Sequence, residues 1–177
     1  MSTVALVQDL FRHMEWADAS IWKSVFESPA GRSDSTIRTR LYHLHMVHWT
    51  FLHVWLDEPL PEIPDQNSFT DIAALASWGQ EAHGRTMQYI ERIDETALQR
   101  GVKAPWLDDF EKYFGKPAAP TNLIQTMLHV TSHGSHHRGQ VNTRLHDLGT
   151  RPPYIDFIVW LCLGSPSAEW VSRTGGA

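Results

Sequence analysis

The chain has 177 residues, 42% of them hydrophobic, and a formal net charge of −5 with its histidines neutral. That length suits one domain with a real core, and the hydrophobic fraction excludes general disorder. The mild acidity, with Lys and Arg scattered, argues against nucleic acid or an anionic membrane as the main partner. The single cysteine excludes an internal disulfide. With no signal-peptide pattern and no membrane span in the sequence, we expect a soluble cytoplasmic protein.

Four long helices are predicted in chain order. In the first three, apolar residues recur every three or four positions, which is typical of a helix that buries one face. The predicted helices cover residues 4–27, 35–56, 70–94 and 121–148. Thr121 is a candidate N-cap of the last helix, and Gly149 is expected just beyond its end.

The segment 98–120 breaks the helical pattern with several Gly and Pro residues, and it predicts a long loop or a short hairpin. A short apolar helix over 154–163 is expected to be buried, Cys162 included, and the tail after Ser165 to be loose. The predicted fold is a single all-α domain over residues 1–177. It is an up-and-down type four-helix bundle with this insertion before the fourth long helix and a short C-terminal helix.

Histidine is concentrated in two of the predicted helices, which hold nine of the 11. His133 and His137 are four residues apart, so they lie on one helix face about 5–6 Å from each other. Two imidazoles so placed can reach one metal ion at bond lengths of about 2.0–2.1 Å. Zinc proteases with this spacing carry Glu directly after the first His, and Gly134 in that place excludes the protease interpretation. The alternative is a polar helix face with nothing bound.

A zinc-type site usually takes three protein ligands, and the second predicted helix has to supply the third. Periodicity favours His45 or His48, which lie beside the apolar stripe of that helix, but it does not choose among the candidates. These are His43, His45, His48 and His53.

The run HGSHHRGQ over residues 133–140 resembles the second-half signature of the DinB-like family, also described as DinB/YfiT-like metalloenzymes. The resemblance covers nearly the whole chain. Three further runs carry it: Trp16-Ala17-Asp18, Leu41-Tyr42-His43-Leu44 and Pro153-Tyr154-Ile155-Asp156. The chain departs from the family pattern at Phe51, where Trp is usual, and at Asp57, where Gly is usual.

This resemblance implies a four-helix bundle with an open three-histidine metal site. Carried over residue by residue, the ligands fall on His43, His133 and His137, with His48 as the fallback for the third ligand. His136 and Arg138 then become residues of the pocket around the metal. Relatives of this kind bind zinc or nickel, and homodimers are frequent among them.

Several such relatives are similar to thiol-dependent transferases or isomerases that use glutathione, mycothiol or bacillithiol, whose thiol the metal activates. We therefore expect a metal-dependent enzyme such as a thiol-dependent S-transferase, acting on a small molecule as a homodimer. The catalytic residues are not identified. The alternatives are a metal-dependent hydrolase and a non-catalytic metal-binding stress-response protein.

Two further residues have open roles. Arg138 can clamp a substrate carboxylate, such as that of glutathione, as a cofactor-binding residue, or it can pair with an acidic residue inside the bundle. Most tryptophans are expected in the core or a dimer interface. Trp106 differs, because it lies in the irregular segment, where a loop can close over a metal site.

Overall fold

The computed structural model describes residues 1–171, all but the side chain of Asp108. This range is mostly helical, and the prediction of an all-α bundle is confirmed. The four long helices are α1 (Thr3–Glu27), α3 (Ser35–Trp55), α4 (Ile72–Ile90) and α7 (Leu123–Asp147). The short helices are α2 (Pro29–Ser33), α5 (Glu95–Leu98), α6 (Phe110–Phe114) and α8 (Phe157–Cys162).

Side-chain caps set where the long helices begin. The N-caps Ser2, Asp34 and Asp71 each accept a hydrogen bond from the backbone N–H three residues on. At α7 the cap is a reciprocal box between Asn122 and Gln125, so the predicted cap Thr121 was one residue early. The helix ends before Gly149, whose φ of 78° is the left-handed conformation that glycine adopts without strain.

The long helices form a ring in which α1 and α3 each contact both α4 and α7. Helix α3 runs antiparallel to α7, because Asp34 meets Arg144 near one end and Trp55 meets Thr126 near the other. It runs parallel to α4, along which His45 contacts Gly79 and His48 contacts Thr86. Helix α1 runs parallel to α7 and antiparallel to α4. The long helices therefore run up, down, down and up. The all-α bundle is as predicted, but the order differs from an up-and-down type, because α3 and α4 run parallel.

The irregular insertion contains a minimal hairpin. Strand β1 (Gly101–Val102) pairs antiparallel with β2 (Thr121–Asn122). One 3₁₀ turn, Gln66–Ser68, precedes α4, and a second, Pro105–Asp109, lies between the two strands. Trp106, in the second turn, packs edge-on against Phe51 of α3 with 5.1 Å between the ring centroids. The hairpin therefore anchors a loop whose tryptophan lies beside α3.

The C-terminal segment differs from the prediction. Trp160 is the buried residue of α8, whereas Ile158, Leu161 and Cys162 are exposed, so the expected burial of this helix and of its cysteine was wrong. The reason is that α8 lies at the edge of the bundle against α1, where so short a helix turns few side chains inward.

The chain after Ser165 is held in place as far as it is described. Trp170 donates a hydrogen bond to Glu15 of α1 at 3.2 Å, and Trp160 donates to the carbonyl of Pro166 at 3.0 Å. The rest of the predicted loose tail, residues 172–177, lies outside the described residues. Across residues 1–171, no helix combines the length and hydropathy that a membrane span requires.

Candidate metal centre

Three histidines meet at the contact between α3 and α7. His43 comes from α3, His133 and His137 come from α7, and one nitrogen of each lies within 4.8 Å of the others. The Nε2 atoms of His133 and His137 are 3.1 Å apart, and the His43 ring centroid lies 5.2 and 4.7 Å from theirs. These are the three residues that the family resemblance implies as ligands.

The helix geometry explains this meeting. The four-residue spacing stacks His133 and His137 on the face of α7 that looks toward α3. His43 lies between the two cross-links, Asp34–Arg144 and Trp55–Thr126, that hold α3 antiparallel to α7. The register of the two helices therefore brings His43 opposite the α7 pair.

The donor set suits a divalent transition metal. Imidazole nitrogen is a ligand for zinc, nickel, copper and iron, and oxygen-preferring ions such as magnesium are disfavoured by three nitrogens. Around a tetrahedral ion with metal–nitrogen bonds of about 2.0–2.1 Å, neighbouring nitrogens lie about 3.3 Å apart. The 3.1 Å between the α7 nitrogens is close to that value. The group could therefore hold such an ion with little rearrangement.

Gln140 orients one of these ligands. Its side-chain oxygen lies 2.9 Å from His137 Nδ1, and its amide nitrogen lies 3.0 Å from His136 Nε2. Because the Gln140 oxygen accepts only, His137 carries its proton on Nδ1 and directs the Nε2 lone pair toward His133 and His43. Partners of this kind fix the tautomer and orientation of metal-binding histidines.

All three histidines have lowered pKa values, chiefly because burial disfavours the charged imidazole. The pKa of His133 falls to about 4, with His137 and His43 adding repulsion. Burial likewise lowers the pKa of His43 and His137, and nearby Arg40 lowers both further. The imidazoles are therefore neutral at pH 7, which is the form that binds metal.

Arg138, next to His137, points away from this group and into the bundle. Its guanidinium donates to Asp18 Oδ1 at 2.9 Å and to Ser135 Oγ at 3.0 Å, and its side chain is 2% exposed. A Cβ on Gly134 would lie 3.1 Å from Arg138 Nη1, so the glycine leaves room for the guanidinium. Of the two roles that the sequence left open for Arg138, the structure shows pairing with an acidic residue inside the bundle.

A second group of potential ligands, Asp18, His45 and His83, lies in the core. Asp18 Oδ2 lies 2.8 Å from His83 Nε2, and His45 Nε2 accepts a hydrogen bond from Trp22 at 3.0 Å. The Arg138 charge already balances the Asp18 carboxylate, so a divalent ion here would add two uncompensated buried charges. We therefore assign this group as a structural network.

The charge of Asp18 is secured by its neighbours. Burial alone would raise its pKa, but Arg138 and the hydrogen bond with His83 outweigh burial and lower it. His48, the fallback third ligand, belongs to this core network: it hydrogen-bonds to Thr86 at 2.8 Å and packs on the His83 ring. His43 is the α3 histidine that faces His133 and His137.

The rim of the metal centre is aromatic on one side. The His129 ring lies 5.5 Å from His133 and 5.2 Å from Phe51, which in turn contacts Trp106. Trp106 is 40% exposed, so it borders solvent at this edge of the centre.

Sequence reasoning missed Gln140, His83 and Gly79. Gln140 carried a signal, since it lies three residues after His137 on the same face. Glycine usually weakens a helix, but a Cβ at Gly79 would lie 2.4 Å from His45 Nε2, so the glycine admits the His45 ring. No sequence pattern predicted the role of His83, because its partner Asp18 is 65 residues away.

Comparison with known proteins identifies the family of the chain. The DinB family model matches residues 1–162, a range that holds all four long helices and all three histidines of the candidate metal centre. Among curated proteins, none matches the chain. Because the family match extends over most of its length, the chain belongs to the DinB family.

Proposed function

We propose that this protein is a metal-dependent enzyme in which His43, His133 and His137 bind a zinc or nickel ion. The observation that carries the proposal is the approach of three neutral imidazoles from two helices to within 4.8 Å. Family membership supports the same ligands. Three protein ligands leave a tetrahedral ion one position for a substrate, which is usual for catalytic rather than structural sites.

The proposed reaction is the transfer of a low-molecular-weight thiol such as glutathione to an electrophilic small molecule. When bound, the metal would supply Lewis acidity that lowers the pKa of a coordinated thiol. The protein's own residues orient the site: Gln140 holds the His137 tautomer, and Phe51 with Trp106 limits water on one side.

Two alternatives use the same residues. A hydrolase would activate water in place of a thiol, and a metal-binding stress-response protein would perform no reaction. The transferase is favoured because the family resemblance points to thiol chemistry. In addition, the Asp18 carboxylate is held in the core by Arg138 and His83 and is not a group of the metal centre.

Metal analysis tests the first part of the proposal, that the protein binds a metal ion. Protein purified without a nickel column should contain about one divalent ion per chain. His43→Ala and His133→Ala should lose it, whereas His146→Ala, an exposed histidine near the end of α7, should keep it. If the protein contains no metal after incubation with zinc or nickel above pH 7, the metal site is rejected.

Turnover tests the reaction. The metal-loaded protein should conjugate at least one of glutathione, mycothiol and bacillithiol to an electrophilic acceptor, and His43→Ala should abolish that activity. Absence of turnover with every thiol, together with ester hydrolysis that depends on the metal, would favour the hydrolase.

The proposal includes a cytoplasmic homodimer. The exposed ridge of α8, with Ile158 and Leu161, borders a groove of about 470 Å³ lined by Leu10, Leu128 and Phe157. A ridge and a groove side by side on one face can each fill the other on a second copy related by a two-fold axis. Light scattering should give twice the chain mass, and Leu161→Glu should give the monomer mass. A monomeric unsubstituted protein would reject the dimer.

A further inference from the structure

Arg40 is a positively charged residue close to His43 and His137. It precedes His43 by three residues on α3, so the two side chains share a helix face. Arg40 is exposed, and its charge acts on both His43 and His137. Among the side chains that the structure describes, its guanidinium has no hydrogen-bond or ion-pair partner.

The other cations near the centre are engaged. Arg144, further along the contact between α3 and α7, donates two hydrogen bonds to Asp34 at 2.7 and 3.0 Å. Arg138 pairs with Asp18 in the core. The protein carries a net negative charge, yet Arg40 is the charged side chain that shifts the pKa of His43, and no described carboxylate contributes to that shift. An anion bound here would meet one unpaired positive charge and no carboxylate.

The contact between α3 and α7 is polar at one end and aromatic at the other. Arg40 lies about 4.5 Å along the α3 axis before His43, and Phe51 lies about 12 Å after it. His129 and Trp106 pack on Phe51, so the aromatic side chains gather at the far end. A bound molecule with a charged end would therefore place that end toward Arg40.

We propose that Arg40 determines specificity for anionic thiols, by pairing with a carboxylate of the thiol while the sulfur occupies the metal. This rests on the proposed function, and it names the substrate class: a thiol whose carboxylate lies a few bonds from its sulfur. Arg40 thus has the carboxylate-binding role that the sequence had suggested for Arg138.

Two thiols that differ only in charge test this proposal. The cobalt(II)-loaded protein would be titrated with 3-mercaptopropionate and with its neutral amide, following the thiolate-to-cobalt absorption band. The unsubstituted protein should bind the acid about five-fold more tightly than the amide, the upper range for a solvent-exposed ion pair. The preference should shrink as ionic strength rises, because salt screens exposed charges.

Arg40→Gln should still bind cobalt and both thiols, but it should no longer prefer the acid over the amide. Arg92→Gln, which removes an exposed positive charge elsewhere, should keep it. If the ratio of the affinities for the two thiols is the same in the unsubstituted protein and in Arg40→Gln, the role of Arg40 is overturned while the proposed function is unaffected. If cobalt binds but neither thiol does, the thiol chemistry of the proposed function fails, and this inference fails with it.

Discussion

At the scale of single residues, the HGSHHRGQ run serves two regions of the molecule at once. His133 and His137 face α3 and form the candidate metal centre, whereas Arg138 reaches α1 and pairs with Asp18 in the core. The residues between them have their own tasks, since Gly134 makes room for the guanidinium and Ser135 accepts from it. One short sequence thus couples the metal centre to the packing of the bundle.

Gln140 should matter to the metal although it is not a ligand. In Gln140→Leu, His137 loses the acceptor that fixes its tautomer, and we expect metal affinity to fall about 10- to 100-fold. Gln140→Glu keeps an acceptor oxygen near Nδ1 and should retain most of the affinity. Competition with a chromogenic chelator measures both variants, and equal affinity in Gln140→Leu would show that the contact does not orient the ligand.

Gly79 and Gly84 form a matched pair within α4. A Cβ at Gly79 would lie 2.4 Å from buried His45 ring atoms, whereas a Cβ at Gly84 meets nothing within 4 Å. Gly79→Ala should lower the free energy of unfolding by about 1–3 kcal/mol, since the added methyl group overpacks against the fully buried His45 ring. Gly84→Ala should raise it by up to about 1 kcal/mol through helix propensity. Urea denaturation distinguishes them, and equal effects would contradict the assigned close contact.

At the scale of helices, one buried ion pair ties α7 to α1. Asp18 and Arg138 are each 2% exposed in their side chains, so neither charge is solvated by water. The pair lies one residue from His137, and it therefore helps set the position of α7 relative to the rest of the bundle. Asp18 also accepts from His83, which extends the link to α4.

Removing one charge of the Asp18–Arg138 pair should destabilise the folded protein. Asp18→Asn leaves the Arg138 charge buried without a partner, and we expect a loss of about 3–5 kcal/mol in the free energy of unfolding. Asp18→Asn combined with Arg138→Met should lose less than the sum of the two single changes. Glu58→Gln, at a partly exposed ion pair with Arg85, should cost no more than about 1 kcal/mol. Additive losses at Asp18 and Arg138 would contradict a coupled pair.

At the scale of the whole molecule, the buried histidines make stability depend on pH. Burial lowers the pKa of His48 well below the usual 6.5, with repulsion from His83, His45 and Arg138 opposing the attraction of Asp18. Below pH 6.5 the unfolded chain takes up a proton at His48 that the folded chain does not. Folding stability is therefore lost as the pH falls, by up to about 1.4 kcal/mol per pH unit for this group.

We expect the chelator-treated protein to have a lower free energy of unfolding at pH 5 than at pH 7. Asp18 does not contribute in this window, because its lowered pKa keeps it charged in the folded state and its unfolded pKa lies below pH 5. His48→Gln, which can still hydrogen-bond to Thr86, should show a shallower dependence. A slope unchanged in His48→Gln would show that other groups control acid unfolding.

The sequence by itself determined the all-α bundle, the approximate bounds of the four long helices and the His133–His137 pair. These properties are local: helical period, proline and glycine breaks, and four-residue spacing depend on neighbours along the chain. The resemblance to the DinB family added His43, which periodicity alone did not select. The expected burial of α8 failed, because an apolar helix at the edge of a bundle looks the same in sequence as one in its core.

Only the tertiary structure decided which histidines meet and what Arg138 does. His45 and His48 lie within five residues of His43, yet they turn into the core while His43 faces α7. That choice depends on the register between α3 and α7, which is set by contacts between residues about 70 to 110 positions apart. The Asp18–Arg138 pair joins residues 120 positions apart, and pairing at such separations leaves no periodic trace in the sequence.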